Sequence, residues 1–149
     1  MTIEQIVRHT LSAIDAHDLN KAAAYTSNDL AVTDPTLNLP HPLDKRAFFA
    51  QMTAILQAFP DWKYNIIEVT TQNDQVSVTV EAVATNTSPL QLPGLPPIPA
   101  TGKRVTVPDQ FIFTVKDDII TAITINSPPQ GGAAEMLRQL GIILPPRNG

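Results

Sequence analysis

From Val76 to Thr85 the chain alternates strictly, with Val76, Val78, Val80, Ala82 and Ala84 interleaved with Ser77, Thr79, Glu81, Val83 and Thr85. A period of two is what a strand with one buried face requires, because successive side chains leave opposite faces of the pleat. Such a strand needs a layer to cover its apolar row. Upstream, the period is helical instead. Ile3, Ile6, Val7, Leu11 and Ile14 recur at i, i+3, i+4 spacing behind Thr2 and Gln5, a capping-box pair, which predicts a helix from about residue 3 to 16. Asp18 is placed to cap a short helix over Leu19 to Tyr25. Asp44 is placed to cap a third, with Phe48, Met52, Ile55, Leu56 and Phe59 on its apolar face and Pro60 at its end.

Further strands are expected at about 62 to 71, 103 to 115 and 119 to 126, with Lys116-Asp117-Asp118 as a hairpin turn and a short strand at Leu30 to Thr33. Ala133 to Leu140 reads as a short helix ended by Gly141, after which Ile142, Ile143 and Leu144 are expected to pack. No internal repeat is found. Helices first and strands afterwards is the order of an α+β domain, in which helices cover one face of an antiparallel sheet. At 149 residues the chain suits one domain, expected to span 1–149.

The balance of charge narrows the partners. A net charge of -4, with no basic cluster larger than Lys45-Arg46 or Lys103-Arg104, argues against a surface that tracks phosphates, so no nucleic-acid partner is expected. No apolar run approaches the roughly 20 residues that span a bilayer, and Glu4 interrupts the N-terminus; no membrane partner and a cytoplasmic location are the expectation. The absence of cysteine excludes disulfides, thiolate metal sites and cysteine nucleophiles. His9 falls off the apolar stripe of the first helix, His17 stands near a helix end where partial positive charge suits the dipole, and His41 stands between two prolines. No His/Asp/Glu spacing suggests a metal site, and neither a phosphate-binding glycine loop nor a nucleophile elbow is present.

One acid stands out. In the strand from Val105, odd positions carry Val105, Val107, Asp109, Phe111, Phe113 and Val115, so Asp109 shares a face with valines and phenylalanines. Burial of that kind raises a carboxyl pKa unless hydrogen bonds favour the anion, and such groups are frequent general acids or bases. A structural role at the strand entrance, or an outward-facing pleat, is the competing reading. The alternation of the strand at Val76 carries forward to Asn86, a polar amide at the end of an apolar face. Asp34, in VTDPT, suits a turn or a polar group at a cavity mouth. The last strand offers either Thr124 and Asn126 or Ile123 and Ile125 to the interior. The segment from Ser88 to Thr101, SPLQLPGLPPIPAT, is too rich in proline for a central strand and unusually apolar for a loop; it is expected to act as a lid over a cavity, with a dimer contact or a rigid connector as alternatives.

The chain resembles the SnoaL-like polyketide cyclase group of the nuclear-transport-factor-2-like superfamily, which includes the ketosteroid isomerases. The resemblance spans nearly the whole chain and rests on helix one followed by DAHDL, on VTDP, LDKRAFFAQM, AFPDWKY, PATGKRVTV with FIFTVKDDII, and MLRQLGIILP. It implies a cone-shaped fold, with helices in the concave face of a strongly curved, mostly antiparallel sheet around an apolar pocket, commonly in a homodimer. It further implies cofactor-independent cyclase or isomerase chemistry on a hydrophobic, polyketide-like or other carbonyl compound. In that frame Asp109 is the candidate proton carrier and Asn86 the donor to the enolate oxygen, while Asp34, Trp62, Phe111, Phe113, Leu92 and Phe48 are candidate ligand contacts. Asn86 stands where relatives often have histidine, and Thr124 and Pro128 stand where tryptophan and then aspartate often follow. The polar machinery is thinner than in catalytic relatives, which makes a non-catalytic binder of small hydrophobic ligands the alternative.

Overall fold

Thr2 starts the first helix: its hydroxyl accepts the Gln5 N–H at 3.1 Å, and the Gln5 side chain accepts the Thr2 N–H at 2.9 Å. This reciprocal cap satisfies donors that a helix start leaves without intrahelical partners. α1 (Ile3–Asp15) then buries Ile6, Val7, Leu11 and Ile14. Asp18 and Asp44 cap α2 (Leu19–Ala24) and α3 (Lys45–Ala58) by accepting the N–H groups of Lys21 and Ala47. α3 stops at Ala58, two residues before Pro60. The computed structural model describes residues 1–35, 41–92 and 96–142.

Six strands form one sheet in the order β2-β1-β6-β5-β4-β3, with β1 (Thr26–Thr33), β2 (Leu43–Asp44), β3 (Lys63–Gln72), β4 (Gln75–Thr85), β5 (Arg104–Lys116) and β6 (Ile119–Ile125). β1 and β6 run parallel and the other neighbours antiparallel. The sheet is mixed, strongly curved and not closed, and with its helices makes the α+β cone expected from the sequence. Two-residue turns join its hairpins. Asp117 and Asp118 both take positive φ, 51° and 62°, the handedness that suits a tight hairpin between twisted strands. β1 begins four residues before the expected Leu30 because its partner is distant in sequence: Thr26 pairs with Ile120, then the register shifts before Ala31 pairs with Ala122. The polar run Ser27-Asn28-Asp29 hides this strand from a periodicity reading.

β4 and β5 pair without a shift from Gln75↔Thr114 to Thr85↔Arg104. The parity read from the sequence therefore holds, and Val76, Val78, Val80, Ala82 and Ala84 are all buried. α1 packs over β3, β4 and β6, α3 over β1 and β2, and α4 (Gly132–Gln139) over β5. β3 carries a bulge between Ile66 and Glu68, and the exposed large apolar residues Ile66 and Ile67 stand there.

Past β4, Asn86 is fully buried and wholly engaged. Its amide oxygen accepts the N–H and the hydroxyl of Thr101, both at 2.8 Å, and its amide nitrogen donates to the carbonyls of Ser88 (2.8 Å) and Ala58 (3.4 Å). These bonds clamp both feet of the proline-rich loop to the end of α3. Above the clamp, Leu90 and Ile98 exchange two backbone hydrogen bonds and are buried in the core. The loop is thus fastened, and its apolar character reflects packing. Removing a side chain with this many buried bonds leaves several backbone groups unsatisfied, at about 1–3 kcal/mol each before relaxation. Asn86→Ala is expected to lower unfolding free energy by about 2–4 kcal/mol in denaturant titration, and to expose the loop to protease cleavage.

Candidate functional site

The C-terminal ends of β1 and β6 and the first half of β5 converge under the helices. Thr33 of β1 is level with Thr124 of β6, and Ile125 of β6 is level with Phe111 of β5. One residue beyond β1 comes Asp34, and two beyond β6 comes Ser127, on the face of Ile123 and Ile125. Both arrive near Asp109. Ile123 and Ile125, not Thr124 and Asn126, face the interior and line a cavity, which settles the side of the last strand that the sequence left open. Helices α1, α3 and α4 supply the opposite wall, with Ile14, Phe48, Met52 and Met136 among its residues. The room for centres of water-sized atoms is about 80 Å³. At roughly 10–15 Å³ per water this admits a handful of waters or one small ring; a polycyclic occupant needs side chains to move.

Asp109 is half-buried at this cavity. Its Oδ1 accepts the Ser127 hydroxyl at 2.7 Å and the Gln110 N–H at 2.9 Å, while Oδ2 takes no hydrogen bond among the described residues. Burial pushes its pKa up to about 6; the Ser127 and Gln110 bonds oppose the rise, and the nearby charge of Asp34 adds to it. Desolvation therefore dominates over the hydrogen bonds that favour the anion. The approach of Ser127 depends on two glycines. A Cβ on Gly131 would lie 2.1 Å from the Pro108 carbonyl oxygen, and one on Gly132, at φ 71°, would lie 2.2 Å from Ser127 Oγ. Only residues without a side chain let the turn into α4 pass this close.

Aromatic rings make the rest of the wall. Trp62, Tyr64, Phe111 and Phe113 follow one another edge-to-face at centroid distances of 5.7, 5.6 and 6.2 Å, all lining the cavity. Such T-shaped contacts favour the positive ring edge against the negative face of the next ring. Burial first, and then the charge of Asp109, raises the Tyr64 phenol above its ordinary range; the Trp62 indole opposes this. That indole N–H is buried yet lies outside hydrogen-bond geometry with any described acceptor. Sequence reasoning missed Tyr64 and Ser127. Tyr64 alternates with Trp62 on one face of a strand, a signal present in AFPDWKY, whereas Ser127 lies in a proline-flanked turn without periodicity.

Of the residues singled out from the sequence, Asp109, Asp34, Trp62, Phe48, Phe111 and Phe113 line the cavity. Asp34 is only 6% exposed. Asn86, expected as the donor to the enolate oxygen, does not join them: its amide is engaged by Thr101, Ser88 and Ala58 and it is not a lining residue. Leu92 is buried but is not a lining residue, and neither are Leu90 and Ile98; the described part of the proline-rich loop packs into the core instead of covering the cavity. Residues 93 to 95 of that loop, and the expected packing of Ile143 and Leu144, lie outside the described residues. His41 is exposed. Among the described residues no group of three His, Asp or Glu side chains is arranged to hold a metal ion, and no helix is long and apolar enough to cross a membrane.

Comparison with known proteins agrees with this architecture. Among solved structures, the chain is similar to AclR of Streptomyces galilaeus, described as a candidate hydroxylase, with a TM-score of 0.75 at 17% identity over 93% of this chain and 95% of that one. It is similar to IdmH of Streptomyces antibioticus, described as a candidate polyketide cyclase, with a TM-score of 0.72 at 18% identity over 95% and 100%. A candidate polyketide cyclase of Xanthomonas campestris pv. campestris gives 0.67 at 21% identity over 93% and 96%. Identities this low show a shared fold. No curated protein matches the sequence. The SnoaL-like domain model matches residues 7–123, most of the chain, and the protein therefore belongs to the SnoaL-like domain family.

Proposed function

We propose that the cavity binds a small hydrophobic carbonyl compound and that Asp109 moves a proton at the carbon beside the carbonyl, in a cofactor-independent cyclase or isomerase reaction. The observation that carries this reading is a carboxylate with one oxygen fixed by Ser127 and the Gln110 N–H, and the other unbonded at an apolar cavity. A base must be held in place and yet keep one lone pair for the incoming proton. Its pKa of about 6 suits both directions of transfer near neutral pH, because the proton is neither too loosely nor too firmly held. As the C–H bond breaks, its electron pair moves to the carbonyl oxygen and makes an enolate. Return of the proton at another carbon gives isomerisation; attack of the enolate carbon on a second carbonyl closes a ring, and the alkoxide so formed takes the proton back from Asp109. Asp34, Trp62, Phe48, Phe111 and Phe113 contact the ligand in this reading. The structural neighbours described as candidate polyketide cyclases support the reaction class, and the family supports cyclase or isomerase chemistry in general terms.

The direct test follows exchange of α-protons for deuterium in hydrophobic ketones, 2-tetralone and acetophenone among them, by NMR in D₂O. Wild-type protein is expected to accelerate exchange, and Asp109→Asn to reduce the acceleration by about 10²–10⁴-fold. If Asp109→Asn exchanges as fast as wild type, the role assigned to Asp109 is wrong. A compound that survives purification unchanged, seen by native mass spectrometry in a protein without exchange activity, would instead assign the cavity to ligand carriage.

The pH dependence has a definite sign. Asp109 acts as base only when ionised, so the exchange rate is expected to rise as pH passes through about 6. Ser127→Ala removes a bond that favours the anion, and should move that midpoint upward. Stability runs the other way. The folded-state pKa lies above the ordinary 3.8, so the native state holds a proton that the unfolded chain releases, and stability falls as pH rises between those values. Asp109→Asn is therefore expected to be more stable than wild type above pH 7, by on the order of 2 kcal/mol, and to lose this advantage below about pH 4. Thermal melts of both proteins across that range check it.

A further inference from the structure

On α1, Ile6, Thr10 and Ile14 follow one another at helical spacing, so Thr10 puts a hydroxyl on the apolar stripe, where it is only 2% exposed. Its Oγ1 donates to the Ile6 carbonyl at 2.8 Å. Thr26, the first residue of β1 and 5% exposed, donates in the same way to the Ala23 carbonyl at 2.8 Å. A carbonyl only accepts, so in each pair the hydroxyl is the donor and keeps its lone pairs. Neither carbonyl depends on that bond. The Ile6 carbonyl lies inside the helix, where the Thr10 N–H is its i−4 partner, and the Ala23 carbonyl also accepts the Lys45 ammonium at 3.1 Å. Both threonines line the cavity, and no donor among the described residues reaches either Oγ1. Two acceptors with their protons turned away thus face an apolar space.

Thr26 stands far from the acids. It pairs with Ile120 of β6, which pairs with Val115 of β5, and from Val115 to Asp109 is about 20 Å of strand at ~3.3 Å per residue. Phe113 and Ile123, paired between those levels, make the apolar wall in the middle. We infer that the cavity's occupant is an extended molecule with a hydroxyl at the end remote from its carbonyl, and that Thr10 and Thr26 accept the proton of that hydroxyl in a hydrogen bond. This rests on the reading of the cavity as a carbonyl site and names its substrate class, a hydroxy ketone. The donor is neutral, because Lys45 holds its charge 3.1 Å from the Thr26 carbonyl and would repel an ammonium there. Asp34 and Asp109, the acids among the described lining residues, stand at the other end of β1 and on β5. An ionised carboxylate has no proton to offer a threonine lone pair. Anchored by its hydroxyl, the ligand presents its carbonyl end to Asp109 in one orientation, which lowers the entropy cost of the proton transfer.

The probes are 2-octanone, 2-decanone and 2-dodecanone, each with and without a terminal hydroxyl, since a single chain suits the narrow room better than fused rings do. Dissociation constants are measured by NMR titration for wild type, Thr10→Val, Thr26→Val, Thr26→Ser and Asp109→Asn. For the hydroxy ketone that wild type binds best, the ratio of its dissociation constant to that of the parent ketone is expected to rise about tenfold in Thr26→Val and severalfold in Thr10→Val. The ratio is expected to hold in Thr26→Ser, which keeps the hydroxyl, and in Asp109→Asn. A ratio unchanged in both valine variants overturns the inference and leaves the carbonyl reading intact, and so does wild-type binding of the parent ketones alone. Failure of every ketone to bind wild type overturns both. A measurement that needs no variant is the set of intermolecular NOEs from the carbinol methylene of the bound hydroxy ketone. Contacts with the Thr10 and Thr26 methyl groups are expected. Contacts instead with the methyl of Ala133, which lines the cavity next to Gly132 at the Asp109 end, place the hydroxyl at the wrong pole and rule the inference out.

Discussion

The unbroken pairing of β4 with β5 is the constraint on which the rest of this molecule depends. A slip of one residue would send Val105, Val107, Phe111 and Phe113 to solvent and Asp109 with them, since strand faces alternate. The register is pinned at both ends. At one end the Val115 N–H donates to the Asp74 carbonyl, and at the other Asn86 with Thr101 and Gly102 fixes the entry to β5: Gly102 donates to the Asn86 carbonyl while the Asn86 N–H donates to the Lys103 carbonyl. Asn86 is thus a structural residue whose position near the site follows from its role in holding the strand that carries the acid.

Placing a carboxylate on that face costs stability, and the structure limits the cost in a particular way. Two hydrogen bonds to Oδ1 hold Asp109 in one orientation, but they do not restore its ordinary pKa. Full satisfaction would have produced a permanently ionised, inert anion. Oδ2 is left unbonded among the described residues and burial holds the carboxyl pKa up at about 6, and the glycine pair at 131 and 132 is the geometric condition for this partial satisfaction. Desolvation of a carboxylate is concentrated where chemistry is proposed, as expected for a site that trades stability for reactivity.

The structural neighbours share this scaffold at identities of 17 to 21% while carrying descriptions as different as hydroxylase and polyketide cyclase. A fold of this kind supplies an apolar cavity between a curved sheet and helices; which reaction occurs there depends on the few polar groups that project into it. Here those groups include Asp34 just past β1, Asp109 within β5, Tyr64 near the start of β3 and Trp62 in the turn before it. The arrangement differs from the one expected from family resemblance chiefly at Asn86, whose amide is engaged by Thr101, Ser88 and Ala58 and does not line the cavity.

Local patterns carried most of the architecture. The capping residues Thr2, Asp18 and Asp44, the helical spacing on α1 and α3, and the alternation along β4 and β5 are interactions between residues close in sequence, so each was legible without the fold. The face shared by Asp109 and the phenylalanines was legible for the same reason. What the sequence could not show depends on contacts between distant segments. The parallel pairing of β1 with β6 brings Asp34 toward Asp109. A proline-flanked turn delivers Ser127, and the Tyr64 ring of β3 meets the Phe111 ring of β5 across β4. The orientation of Asn86 was likewise undecidable, because an amide at a strand end serves a loop or a ligand equally well until its partners are in place. Sequence alone determined which residues of α1, β4 and β5 face inward; the tertiary structure decided the inward face of β6 and which residues meet, because meeting is set by the register and curvature of a sheet whose partners lie far apart along the chain.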